Sequence, residues 1–240
     1  MSKRVLFIEH DYVSLGGPIW RQFIARGFEI VRFNIVDQEH ATTPNVTVEW
    51  PNLLEFDAVV PMGSPWGAWD DATIGNWLLP EIKHLKAAHD AGVPILGICF
   101  GGQLMARVLG GSVAPAPQPE IGWHVIVSDD ESLISRGPWM QFHYDRFVVP
   151  PGAIEIARSP LAPQAFTMGR TLGVQFHPEM DPEVLEAWFA KTDGEKAEAA
   201  AAGLDVTILK AQTKYESEFS NRRAAALVDG FLDTIATRSI

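Results

Sequence analysis

The chain has 240 residues, 47% hydrophobic and 20% charged, a globular balance with enough chain to bury a sizeable core as one domain. Its formal net charge is −11 and its basic residues form no cluster, which argues against nucleic acid as a partner, because that binding rests on neutralising phosphates. No apolar run approaches the roughly 20 residues that cross a bilayer, which argues against a membrane partner, and a single cysteine permits no internal disulfide.

In chain order, Met1-Ser2-Lys3-Arg4 leads into a short strand, Val5–Glu9, with no signal-peptide apolar region, so a cytoplasmic location is expected. A loop with Gly16-Gly17-Pro18 follows, then an amphipathic helix from about Ile19 to Ala25 closed by Gly27. Glu29–Ile35 and Ala58–Met62 read as the second and third strands. Pro80–Ala91 carries Ile82, Leu85 and Ala88 at helical spacing and stops at Gly92. Ile95–Ile98 is a buried strand that runs into Cys99, and Gln103–Leu109 is a helix ending at Gly110-Gly111. Strands alternating with helices predict a parallel sheet covered on both faces, whose ligands gather at the carboxyl ends of the strands, where Cys99 falls.

After Gly111 the pattern changes. Trp123–Val127, Arg146–Val149, Glu155–Ala157, Gln164–Met168 and Thr171–Gln175 read as short strands of an antiparallel section, with a tight turn at Met168-Gly169-Arg170-Thr171. Pro115-Ala116-Pro117-Gln118-Pro119 reads as a stiff surface connector. Beyond Pro182 the chain turns helical over Glu183–Ala190 and Ser217–Thr237, with a solvated Ala/Glu-rich stretch, Glu195–Ala202, between them. The expected organisation is one domain over residues 1–240, with a C-terminal helical segment from about 182 to 240.

Two stretches carry chemistry. In Gly97-Ile98-Cys99-Phe100-Gly101-Gly102-Gln103 a strand turns sharply into a helix, and the sulfur sits where helix dipoles and free N–H groups favour a thiolate. In Gln175-Phe176-His177-Pro178-Glu179, residues two apart point the same way, so a carboxylate lies beside an imidazole. Cys99, His177 and Glu179 in that order fit a nucleophilic triad for acyl transfer.

Gly-Ile-Cys-Phe-Gly-Gly-Gln and Gln-Phe-His-Pro-Glu resemble the two signatures of class I (triad-type) glutamine amidotransferases, and the likeness extends over roughly residues 4 to 180. It implies a flavodoxin-like α/β fold, an open and mostly parallel sheet flanked by helices with a smaller antiparallel section. It also implies hydrolysis of the γ-amide of glutamine, or of a γ-glutamyl amide, through a γ-glutamyl thioester. The backbone N–H of Phe100, next to the nucleophile, is expected to be one oxyanion donor. Val60-Pro61-Met62-Gly63-Ser64-Pro65 resembles the family's Gly-Gly-Pro oxyanion loop with Ser64 in place of the second glycine. If that position needs a positive φ, the serine is strained and the donor is Gly63 instead of Ser64. Gln103 matches the family glutamine that contacts the substrate's amino-acid end. Gln141-Phe142-His143-Tyr144-Asp145 resembles a His-x-Asp loop that helps hold the substrate's α-amino and α-carboxylate groups.

No Cys/His/Asp cluster has zinc spacing and no phosphate-binding glycine pattern occurs, so neither metal nor cofactor is expected. His84 and His89 lie five apart on a helix, and His10 and His124 could reach the cleft only from loop ends. Trp66, Trp69, Trp123 and Trp139 are read as core and lid packing; a bolder reading has them line a pocket for an amine larger than ammonia. The chain holds no recognisable synthase domain. The leading reading is therefore hydrolysis of glutamine or a γ-glutamyl amide to glutamate plus ammonia or amine without channelling, with a glutaminase subunit delivering ammonia to a separate synthase partner as the alternative. A non-catalytic binding subunit on the same fold is the reading from a different class, and a redox-sensing or deglycase-like protein fits His-Pro-Glu poorly.

Overall fold

A computed structural model of the chain describes residues 2–191, 203 and 205–239. Strand β1 (Lys3–Glu9) contains the run Val5-Leu6-Phe7-Ile8, every side chain of it buried. Successive residues leave opposite faces of a strand. Val5 and Phe7 accordingly join one core with Ile19 and Phe23 of α1 (Gly17–Ala25), while Leu6 and Ile8 join another with Trp77 and Leu78 of α2 (Asp71–Asp90). A strand apolar on both faces belongs inside a sheet covered on both sides.

β2 (Phe28–Asn34) and β3 (Ala58–Pro61) flank β1 in parallel, and β4 (Ile95–Ile98) runs parallel to β3. Next come α3 (Phe100–Val108), β5 (Ser112–His124), β6 (Val127–Ser128), β7 (Trp139–Val148), β8 (Ile154–Arg158), β9 (Pro163–Met168) and β10 (Thr171–Val174). β10 pairs parallel with β4, Val174 opposite Ile98. The eight-stranded sheet has the order β2-β1-β3-β4-β10-β9-β8-β6, with β9, β8 and β6 added antiparallel, and β5 and β7 form a separate two-stranded sheet. α4 (Pro182–Lys191) and α5 (Val206–Gly230) follow, α5 running on into a π-helical turn over Phe231–Ile235.

Several expected boundaries move. α2 begins at Asp71, capped by Asp70, whose side chain accepts from the Thr73 N–H; Pro80 lies inside the helix instead of opening it. α5 begins at Val206 behind the Asp205 cap, well before Ser217. Pro115–Pro119 is no connector but the middle of β5, where the register against β7 slips between Pro115 and Glu120. A bulged strand with a free edge tolerates prolines because it loses few ladder bonds. The stretch expected as one strand over Trp123–Val127 is split between the end of β5 and the start of β6, and Arg146–Val148 is only the last part of β7. The turn after Met168 is as expected, with Gly169 at φ 55° and Met168 paired to Thr171. Glu195–Ala202 lies outside the described residues.

Candidate active site

β1, β3, β4 and β10 are neighbours running the same way, so their carboxyl ends deliver His10, Gly63-Ser64, Cys99 and His177 to one edge of the sheet. All ten residues singled out from sequence (Gly63, Ser64, Cys99, Phe100, Gln103, His143, Tyr144, Asp145, His177, Glu179) line one cavity of about 340 Å³ there.

Cys99 has φ 51° and ψ −106°, and it is the one non-glycine residue with positive φ among the described residues. Such backbone strain is of order 1–3 kcal/mol and persists only where surrounding contacts over-determine it. Here the Cys99 N–H donates to Val174 O at 2.9 Å and the Gly101 N–H to Met62 O at 3.0 Å. Gly101 is packed so tightly that a Cβ there would lie 2.0 Å from Pro61 O. The elbow therefore exists because β4 is clamped between β3 and β10 at the point where α3 starts. Ser64 is not at positive φ, so the serine in the loop after β3 carries no left-handed backbone strain. Its Oγ accepts from the Trp66 N–H at 3.2 Å.

His177 is tied to the second sheet by its N–H to Met140 O, 2.8 Å, and its Nδ1 donates to Glu179 Oε1 at 2.7 Å. Trp188 of α4 closes over it edge-on, ring centroids 5.0 Å apart. Burial is the largest influence on the imidazole and pulls its pKa down; the charge and proximity of Cys99, then of Glu179, outweigh it and hold the ring well above its ordinary value. His177 Nε2 is buried and makes no aligned hydrogen bond among the described residues, and neither does Glu179 Oε2. Unpaired buried polar atoms are rare and costly, so this arrangement is not one that stability alone would select. Proton exchange between sulfur and imidazole, with the carboxylate fixing the tautomer, is the chemistry it permits.

On the other wall, Gln103 Nε2 donates to Asp145 O at 3.1 Å and lies 3.4 Å from Gln175 Oε1, whose own Nε2 donates to Cys99 Sγ at 3.8 Å. His143-Tyr144-Asp145 is not a loop but part of β7. The His143 Nδ1 donates to Asp145 O at 2.9 Å, and its Nε2 lies 3.4 Å from Glu120 Oε2. Burial alone would raise the Glu120 carboxyl; the close approach of His143 and the hydrogen bond from Ser159 more than offset this and hold it below its usual value. Glu120 thus braces the segment from behind, a role no sequence signal announces.

Sequence places His10 only at a loop end. In the fold it is fully buried behind the cleft, bonded to Gly63 O and to Glu81, a partner 71 residues away. His124 instead bonds Ile121 O, and it is not among the residues lining the cavity. Of the tryptophans considered, Trp66 lines the cavity; Trp69 Nε1 donates to Asp145 Oδ2, Trp123 Nε1 to Thr213 Oγ1, and Trp139 stacks on Phe176. Trp188, not singled out from sequence, also lines it.

Fold and site define a class of protein: an α/β sheet with a strained cysteine elbow facing a carboxylate-backed histidine. The glutamine amidotransferase class-I family profile matches residues 18–192, and the chain belongs to that family. It is 35% identical over 177 residues to a glutamine-hydrolyzing GMP synthase subunit of Ignicoccus hospitalis, covering 70% of this chain and 87% of that one. To the subunit of the same name from Sulfolobus acidocaldarius it is 37% identical over 58% of this chain and 75% of the relative. Against the glutamine-hydrolyzing GMP synthase of Aeropyrum pernix, 39% identical over 53% of this chain, it spans only 25% of the relative's length. The fold matches a glutamine amidotransferase from Thermotoga maritima with a TM-score of 0.82 and 24% identity, covering 98% of this chain and all of that one.

Proposed function

We propose that this chain hydrolyses the γ-amide of glutamine through Cys99. In this reading His177 takes the Cys99 proton and the sulfur attacks the γ-carbonyl carbon. The resulting oxyanion is held by the Phe100 N–H and a second main-chain donor from Gly63-Ser64. The protonated His177, oriented by Glu179, then gives its proton to the departing nitrogen, the C–N bond breaks, and ammonia leaves a γ-glutamyl thioester. Water attacks the thioester with His177 again as base, the C–S bond breaks, and glutamate is released. Gln103 and the His143–Asp145 segment hold the amino-acid end. One observation carries the reading: an imidazole bonded to the Glu179 carboxylate and interacting with the Cys99 sulfur sits on the wall of a cavity that the other expected groups also line.

A second reading concerns the fate of the ammonia. Similarity to chains that are themselves subunits of GMP synthases favours delivery to a synthase partner over free release. Glutamate and ammonia release from glutamine and from a panel of γ-glutamyl amides, measured for wild type and Cys99→Ser with and without cell extract, tests both. Cys99-dependent turnover of glutamine that rises with an ATP-dependent component of the extract is the expected result. Faster turnover of amides with bulky amines would favour a free-standing γ-glutamyl hydrolase. No glutamate release, with no labelling of Cys99 by a glutamine-like electrophile, would leave a non-catalytic binding protein.

A further inference from the structure

Behind the cleft lies a buried histidine–glutamate pair that the chemistry above does not use. His10 and Glu81 both have 0% exposed side chains. A carbonyl oxygen only accepts, so the His10 Nδ1 must carry the proton in its 3.0 Å contact with Gly63 O. Its Nε2 lies 3.1 and 3.2 Å from the two Glu81 oxygens. The same ring packs on Phe100 at 4.5 Å between centroids and on Trp77 at 5.5 Å. One side chain therefore touches both residues that flank the oxyanion position. Replacing a buried pair of this kind by apolar groups is often neutral or stabilising, so stability gives no reason to keep it.

What it holds decides its role. The only cis peptide among the described residues is Gly137-Pro138, so the Gly63–Ser64 peptide is trans and planar, and its C=O and N–H point in opposite directions. Anchoring the Gly63 oxygen inward on His10 sends the Ser64 N–H outward. Residue 63 is fixed from its other side too: a Cβ there would lie 3.2 Å from Cε1 of His177, so the loop rests against that imidazole.

We propose that the His10–Glu81 pair is a positioning device: His10 anchors the Gly63 carbonyl through Nδ1 and thereby aims the Ser64 N–H, not that of Gly63, into the cleft as the second oxyanion donor. An N–H donor on the carbonyl end also polarises the peptide and strengthens its N–H as a donor. The proposal rests on the reading of Cys99 as the nucleophile of glutamine hydrolysis, with the Gly63-Ser64 loop supplying an oxyanion donor, and goes beyond it by giving His10 and Glu81 the task of holding that loop.

The test compares two double variants of the full chain, one with and one without a donor at the Nδ1 position. His10→Asn/Glu81→Met keeps an amide N–H where Nδ1 was; His10→Phe/Glu81→Met removes it, and both remove the buried charge. The Phe variant is expected to lose about 10²–10³-fold in kcat, the size of losing one oxyanion donor. KM and the rate of Cys99 alkylation by iodoacetamide, which needs no oxyanion donor, stay near wild type. The Asn variant recovers most of the lost kcat. If the Phe variant does not fold, His10→Gln replaces it: its amide reaches Glu81 but not Gly63, and the same kcat loss is expected. Equal kcat for the donor-less and donor-bearing variants, or a loss of kcat that alkylation follows in parallel, overturns the proposal. A wild-type chain that releases no glutamate overturns the underlying reading instead, and this one with it.

Discussion

Nδ1 of His177 donates to Oε1 of Glu179 at 2.7 Å across a single proline, with both side chains buried. The short spacing makes the pair nearly independent of the rest of the fold, whereas the third partner, Cys99, arrives from another strand. Removing the carboxylate charge while keeping the acceptor isolates what Glu179 contributes. For Glu179→Gln, kcat is expected to fall about 10²-fold, the scale of general acid–base effects.

The same substitution has a pH signature. The His177 pKa is raised in the folded protein, through Cys99 and Glu179 against the pull of burial, so its protonated form is favoured on folding. The stability this contributes is fully present below the unfolded histidine value, near about 6.5, and is lost as pH rises through the folded value. Glu179→Gln leaves only the Cys99 part of the rise. Melting temperature followed upward from about pH 6 should therefore decline less steeply in the variant than in wild type. Parallel curves would mean that Glu179 does not govern this titration.

Cys99 sits at φ 51°, ψ −106°, a backbone state that glycine accepts more readily than any residue with a Cβ. Cys99→Ala and Cys99→Gly should both abolish turnover. Cys99→Gly should nevertheless be the more stable of the two by about 1 kcal/mol, because relief of strain outweighs the entropy glycine adds to the unfolded chain. Thermal or denaturant unfolding of the two variants checks this; a glycine variant less stable than the alanine one would show that the elbow stores no strain.

The central strands are legible in the sequence because they are largely apolar runs, and the candidate trio because its two stretches are local: Cys99 at one strand end, His177 and Glu179 two residues apart. The support of the site is hidden for the opposite reason. Glu81 reaches His10 across 71 residues and Glu120 reaches His143 through a sheet pairing, and neither spacing has a periodicity to read. Prolines mislead twice. Pro80 reads as a helix start although Asp70 has already capped the helix, and Pro115–Pro119 reads as a connector because the bulge that lets these prolines stay in β5 depends on pairing with β7. Tyr144 and Asp145 reach the expected cavity, but from a strand, because Trp139–Val148 pairs along nearly its whole length.

At Gly101 the helix backbone approaches β3 closely enough that a Cβ would lie 2.0 Å from Pro61 O and 2.6 Å from its carbonyl carbon. The neighbour is main chain in the middle of the sheet and cannot swing aside. Gly101→Ala is expected to destabilise by about 3 kcal/mol, at the upper end of overpacking effects, and to lower activity by displacing the elbow. An alanine variant with wild-type melting temperature would place more slack between α3 and β3 than this geometry allows.

Gln103 Nε2 is held on Asp145 O at 3.1 Å, which leaves its side chain at the wall of the cavity in the first turn of α3. If it reads the charged amino-acid end of the substrate, the contact is worth about 1.5–3 kcal/mol, or roughly 10- to 100-fold in kcat/KM. A double comparison separates this from general damage. Glutamine and its analogue lacking the α-amino group are each assayed with wild type and with Gln103→Leu. Wild type should prefer glutamine strongly, and the variant should lose that preference mainly by turning over glutamine less well, the desamino analogue being little affected. An undiminished preference in Gln103→Leu would move recognition of the α-amino group to the other side of the cavity, where the buried Asp11 lines the wall with its carboxyl pushed up by burial.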